Sequence, residues 1–325
     1  MTGVVQTTWV WEPAIYLFLG GLAGGTFLAV TLVRFLSKNA FPRVTAIGTW
    51  VSTVALIVGL LFLVVDVAKP FQAMMMWKSF VNFSSWMTIG AWLLFAAVIF
   101  MGVCSVFSTP KLVSIIGSAC KPLAKHAEAI SKVCMVLGAV FGVGVAAYTG
   151  ILLWSAHGIP LWNTPLIPVL FTISAFDAGA SVVLALLLFE KSEKAPAFLK
   201  RASIALVVLI VLEACVLTAL LLMHLGGSES QSLSAGTLIS GELSLQFWVL
   251  VVGIGLVVPF VITVLELLHV VRSDELSRML HIIAIACALV GGFTLRFVIL
   301  TGGMHAVLVS PDAYQAMMDV YLLIG

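Results

Sequence analysis

Long apolar runs broken by short polar punctuation dominate the sequence. Eight such runs lie at about 13–37, 44–68, 83–107, 130–155, 165–190, 201–225, 245–270 and 278–302, separated by breaks marked with charge, Pro or Gly. Each reaches the roughly 20 residues that an α-helix needs to cross the hydrocarbon layer of a bilayer. The runs lack the apolar/polar alternation of barrel strands, and a backbone in lipid must satisfy its own hydrogen bonds, so they are predicted to be helices. The expected fold is all-α: a polytopic membrane protein with one integral membrane domain over 1–325, built as a bundle of eight transmembrane helices.

Composition sharpens this picture. Of the 325 residues, 62% are hydrophobic and 9% charged, against roughly 25% charged in a soluble domain. Sixteen Lys and Arg against fourteen Asp and Glu leave a net charge of +2. That is too sparse and balanced to neutralise a phosphate backbone, so nucleic acid is not an expected partner and the lipid bilayer is. The opening MTGVVQTTWVWEP has no basic segment ahead of its first apolar run, so a cleaved signal peptide is not expected.

The basic residues orient the spans. Arg34, Lys38 and Arg43 follow the first run, Lys111, Lys121, Lys125 and Lys132 the third, Lys191, Lys194, Lys200 and Arg201 the fifth, and Arg272 and Arg278 the seventh. The opposite side has Lys69 and Lys78, and Arg296 lies inside the eighth run. The positive-inside rule therefore puts both termini outside, on the periplasmic or equivalent face of a bacterial or archaeal cytoplasmic membrane. No connection is long enough for a soluble domain, so any chemistry belongs to the membrane or to a partner.

Orientation gives each intramembrane charge a depth, and such charges mark function because burying them is costly. Near the outer face fall Glu12, Asp66, Tyr148, His224 and, in the outer half of the eighth span, Arg296, with His305 beyond it. At 1.5 Å per residue, Asp177 and Glu213 reach the midplane, while Glu266 and Glu190 lie towards the inner face. Arg296 requires a counter-charge because a guanidinium keeps its proton, and depth points to Asp66 or Glu12. The acids at the midplane, with Glu266, are candidates for a proton path.

Several chemistries are disfavoured. Cys104, Cys120, Cys134, Cys215 and Cys287 show no C-x-x-C spacing, which argues against a zinc site, a c-type haem or a cluster held by this protein. A membrane haem b needs two imidazoles at one depth on facing helices, whereas the histidines fall at span ends. Gly142-Val-Gly144 lies inside a span with no preceding strand, so it is no dinucleotide fingerprint. Gly20, Gly21, Gly24 and Gly25 form overlapping G-x-x-x-G pairs that admit a neighbouring backbone.

Four segments together resemble the membrane subunit of polysulfide reductase, the NrfD/PsrC family. They are WEPAIYLFLGGLAGG from Trp11, Asp66-Val-Ala-Lys-Pro70 with Ser85-Trp-Met-Thr-Ile-Gly-Ala-Trp, Tyr148-Thr-Gly-Ile-Leu-Leu, and Leu295-Arg-Phe-Val-Ile-Leu-Thr-Gly-Gly303. The resemblance implies a membrane anchor and quinol/quinone-binding subunit of a multi-subunit respiratory molybdenum oxidoreductase, using menaquinone or ubiquinone and binding no haem. It also implies a four-cluster iron–sulfur subunit on the outer face and a catalytic subunit with a molybdenum bis-pterin. In that family the YTG tyrosine and the acid of D-x-G-[RK]-P are associated with the quinone site; they match Tyr148 and Asp66, with Ala68 at the glycine position.

Residue chemistry points the same way. Quinol oxidation releases two electrons and two protons, so its site needs a hydroxyl and a titratable base beside an apolar pocket. Tyr148, Asp66 and Glu12 supply these. Two other readings stay open: a secondary transporter, which also places carboxylates at the midplane, and a haem b anchor. The terminal substrate, the direction of electron flow and the quinone type are not written in this sequence.

Overall fold

The computed structural model describes residues 11–66, 83, 85–270 and 274–304. Its main helices are α1 (Trp11–Leu36), α2 (Pro42–Asp66), α3 (Trp86–Phe107), α4 (Pro110–Ala119), α5 (Lys121–Lys125) and α6 (Ala127–Trp154). They continue with α7 (Leu166–Leu188), α8 (Ala195–Leu225), α9 (Glu229–Ile239), a π-helix (Gln246–Val257) leading into α10 (Val258–Leu267), and α11 (Asp274–Thr301). Among the described residues eight helices are long and apolar enough to span a membrane: α1, α2, α3, α6, α7, α8, the π-helix with α10, and α11.

The eight expected spans are therefore present, and their ends show where polar residues continue a helix. α8 begins at Ala195 rather than near residue 201, and α11 at Asp274 rather than 278, because Lys and Glu favour helix and tolerate its wet ends. The lysine-bearing link after the third span is not a plain loop; it folds into α4 and α5, each with Pro in its first turn, where a missing N–H costs nothing. The link before the seventh span holds α9, started by a capping box of Ser228 and Gln231. The π-helix ends at Val257, two residues before Pro259, whose ring clashes with the carbonyl of residue 255 in a straight α-helix; the wider turn relieves that clash.

α1 is the axis of the bundle and packs on α2, α6, α7 and α11. Its glycines set the spacing. A Cβ at Gly24 would strike the Gly142 carbonyl of α6, and one at Gly25 the Ala175 carbonyl of α7, so three backbones meet where only hydrogens fit. Phe27, Met101 and Met135 fill the core on one side of this level, and Leu17, Leu153, Phe171 and Leu295 on the other. The outer surface stays apolar, with Leu61, Phe95, Val140 and Leu222 exposed, as a lipid-facing surface should be.

Short connections make successive spans antiparallel. The start of α1, the ends of α2, α6, α8 and α11, and the start of α7 share one end of the bundle, the N-terminal face. The opposite end is the basic face. Lys69, Lys78, Arg272, His305 and the Ala68–Pro70 part of the motif lie outside the described residues.

Candidate functional site

Four polar side chains converge at the N-terminal face. Glu12 and Tyr16 are one helical turn apart on α1 and so share a face. Asp66 ends α2 and Tyr148 lies in the last two turns of α6. The Tyr16 phenol pairs with the Asp66 carboxylate as hydrogen-bond donor to acceptor and feels the Tyr148 hydroxyl, while Asp66 feels the charge of Glu12. Trp11 meets Phe62 edge-on at 6.5 Å and ties the start of α1 to α2 beside this group.

Tyr148 is held by its neighbours. Only 9% of it is exposed, and its ring fills the space left by Gly90 of α3, where a Cβ would overlap the phenol. Gly150, two residues on, abuts the backbone of Pro168 in α7. The Y-T-G triplet thus has a division of labour: the tyrosine faces α3 and Tyr16 of α1, and the glycine admits α7. The structure links Glu12 to Asp66, and links Asp66 and Tyr148 through Tyr16, a residue that sequence reasoning alone does not single out. Its one sequence signal is the i, i+4 spacing from Glu12.

A second cluster lies at mid-depth. Arg296 is wholly buried. Its Nη1 donates to the Gly292 carbonyl at 2.6 Å and to Ser174 Oγ at 3.2 Å, and Nη2 donates to the Phe171 carbonyl at 3.2 Å. The guanidinium also lies over the rings of Phe171 and Phe18, at 5.1 and 5.5 Å, a favourable cation–π placement. Ser174 in turn hydrogen-bonds Glu213, whose carboxylate interacts with Arg296 and with Asp177. Ser174, Asp177 and Glu213 line a narrow recess closed by Val251, Gly255, Leu256, Ala288, Gly291 and Gly292.

This corrects the expected partner of Arg296. The acid within electrostatic reach of its guanidinium is Glu213, not Asp66 or Glu12, and its direct hydrogen-bond partners are Ser174, Gly292 and Phe171. Helical side chains lean towards the helix N-terminus, so Arg296 reaches back from the outer half of α11 to the midplane. Asp177 Oδ1 has no hydrogen-bond partner among the described residues.

Glu266 forms a third group near the basic face. It pairs with Nε2 of His281 and accepts a hydrogen bond from Ser277 Oγ at 3.1 Å. Both members of the pair are about nine-tenths buried, so Glu266 is not an ordinary solvated helix end. Arg34, counted among the loop cations, is also buried; it donates to Ser131 Oγ at 2.7 Å.

An eight-span bundle with a phenol–carboxylate cluster at one end and a buried cluster of ionisable groups at its centre defines a multi-pass membrane protein with polar sites inside the bilayer. The family model described as Polysulphide reductase, NrfD, matches residues 3–308. The protein belongs to that family. It is 32% identical over 307 residues to the C chain of polysulfide reductase from Wolinella succinogenes, covering 91% of this sequence and 94% of that one. It is 31% identical over 321 residues to protein NrfD of Escherichia coli, covering 92% and 96%. The C subunit of selenate reductase from Mesobacillus selenatarsenatis is 23% identical over 282 residues, covering 79% and 66%. Relatives named as reductase subunits agree with a membrane subunit of an oxidoreductase.

Proposed function

We propose that this protein is the quinol/quinone-binding membrane subunit of a respiratory oxidoreductase, with Tyr148, Asp66, Glu12 and Tyr16 as its quinone site. The observation that carries this reading is the meeting of two phenols and two carboxylates, from three helices, at one end of the bundle. A phenol O–H donates to a quinone carbonyl, and a carboxylate accepts a proton from a quinol hydroxyl. The set therefore fits both redox forms of the headgroup, and menaquinone or ubiquinone would supply the two-electron chemistry when bound.

Both termini lie on the periplasmic side in this reading, so the cluster faces outward. Electrons leave there to an iron–sulfur subunit and then to a molybdopterin catalytic subunit, which selects the terminal substrate. The subunit names of the polysulfide and selenate reductase relatives support a multi-subunit assembly. Protons released at the same face as the electrons would make turnover electroneutral. The acids Asp177, Glu213 and Glu266 supply groups for conducting protons across the bilayer and so for making it electrogenic.

The assembly is tested by mild-detergent purification of the tagged protein from native membranes with mass spectrometry of what accompanies it. Co-purification of an iron–sulfur protein and a molybdopterin subunit is the expected result. A protein recovered alone, stable and monodisperse, would contradict the reading and favour a transporter.

A further inference from the structure

Among the described residues the charged groups of the bundle do not form a continuous track. On α7, Asp177, Ser181 and Leu184 follow one another on one face, as do Glu213, Ile210 and Leu206 on α8 and Ala288, Ile285 and His281 on α11. Stepping seven residues from either midplane acid towards the basic face, about 10 Å, therefore meets a leucine on each of two helices. Leu184, Leu206 and Ile285 pack together as a buried cluster, at 1%, 4% and 8% exposure. One turn beyond Ile285 lies His281.

The contacts of His281 orient its ring. Its Nδ1 lies 3.0 Å from the Ser277 carbonyl, which can only accept, so Nδ1 carries a hydrogen. Nε2 faces the Glu266 carboxylate, so a proton can pass between the imidazole and the carboxylate. His269, Glu275 and Arg278 on this hairpin are exposed. The pair thus sits next to solvent at the basic face, yet is itself buried.

We propose that Glu266 and His281 form a proton-exchange site at the basic face, separated from Asp177 and Glu213 by a dry plug of Leu184, Leu206 and Ile285. A close-packed apolar layer that excludes water holds no hydrogen-bonded water chain and blocks protons by dewetting. Conduction then requires the plug to be wetted, which couples proton passage to a change in the packing of α7, α8 and α11. The inference rests on the reading of the midplane acids as a conduction path.

The test uses the full-length protein in liposomes containing a pH-sensitive dye, with a potassium-diffusion potential imposed. Leu206→Asn and Ile285→Thr, on different helices, should each raise proton flux about ten-fold over the unsubstituted protein. His281→Gln or Glu266→Gln added to either variant should return the flux to the starting level. Unchanged flux in monodisperse Leu206→Asn and Ile285→Thr proteins would overturn the plug. A raised flux indifferent to His281→Gln and Glu266→Gln would overturn the exchange site. A raised flux that needs His281 but ignores both Glu213→Gln and Asp177→Asn would leave proton exchange at His281 standing and overturn the midplane path on which the plug is placed.

Discussion

Gly90 of α3 lies against the phenol of Tyr148 in α6 so closely that one added methyl group would overlap the ring. The glycine therefore sets where the hydroxyl points. Gly90→Ala is expected to displace the phenol, to cost about 1–3 kcal/mol as overpacking does, and to lower quinol-dependent turnover. Melting temperature and turnover of the detergent-purified complex check this; an unchanged melting temperature and turnover would mean that the ring has room to move.

Where glycine meets backbone, no side chain can give way. Gly25→Ala puts a methyl group into the Ala175 carbonyl and Gly24→Ala puts one into the Gly142 carbonyl. Both should push α1 off its neighbours and reduce the yield of monodisperse protein, whereas Gly158→Ala, with open space around it, should leave yield unchanged. Fluorescence-detected size exclusion of tagged variants separates the outcomes.

The network at the midplane predicts coupling between Arg296 and Glu213. Arg296→Ala leaves a buried carboxylate without its cation and should cost about 3–5 kcal/mol. Adding Glu213→Gln should restore part of that loss, with a coupling energy above about 1 kcal/mol in a double-mutant cycle. Arg296→Lys should not substitute fully, because one ammonium cannot span the Gly292, Ser174 and Phe171 acceptors as a planar fork does. Strict additivity of the two changes would contradict the pairing.

Tyr16 and Asp66 should act as one unit. Tyr16→Phe removes the hydroxyl and keeps the ring, so it should lower quinol-dependent turnover by about ten-fold, the order of one lost buried hydrogen bond. Combined with Asp66→Asn, the loss should be smaller than the product of the two. Independent effects would show that the two side chains do not cooperate during turnover.

How far the sequence discloses this arrangement depends on whether a feature is local. Run length alone locates all eight spans, because the apolar requirement of a bilayer is one-dimensional. Tyr148 and Asp66 stand out through motifs, and Glu12 through its depth. Tyr16 sits in the middle of the helix-1 motif, and only its spacing from Glu12 places the two on one face. Depth counted at Cα gives Arg296 the wrong counter-charge, because its side chain reaches back along the helix. The Glu266–His281 pair depends on how two helices close into a hairpin, and the π-helix on strain near Pro259; neither leaves a periodic trace.

The quinone site itself is tested most directly by comparing two electron donors in the intact complex. Tyr148→Phe and Asp66→Asn should each cut quinol-dependent reduction of the terminal acceptor by about ten-fold or more, while activity driven by an artificial dye that bypasses the membrane subunit stays at the level of the unsubstituted complex. Quinol-dependent turnover unchanged in both variants would contradict the assignment of the Glu12–Tyr16–Asp66–Tyr148 cluster as the place where quinol is oxidised.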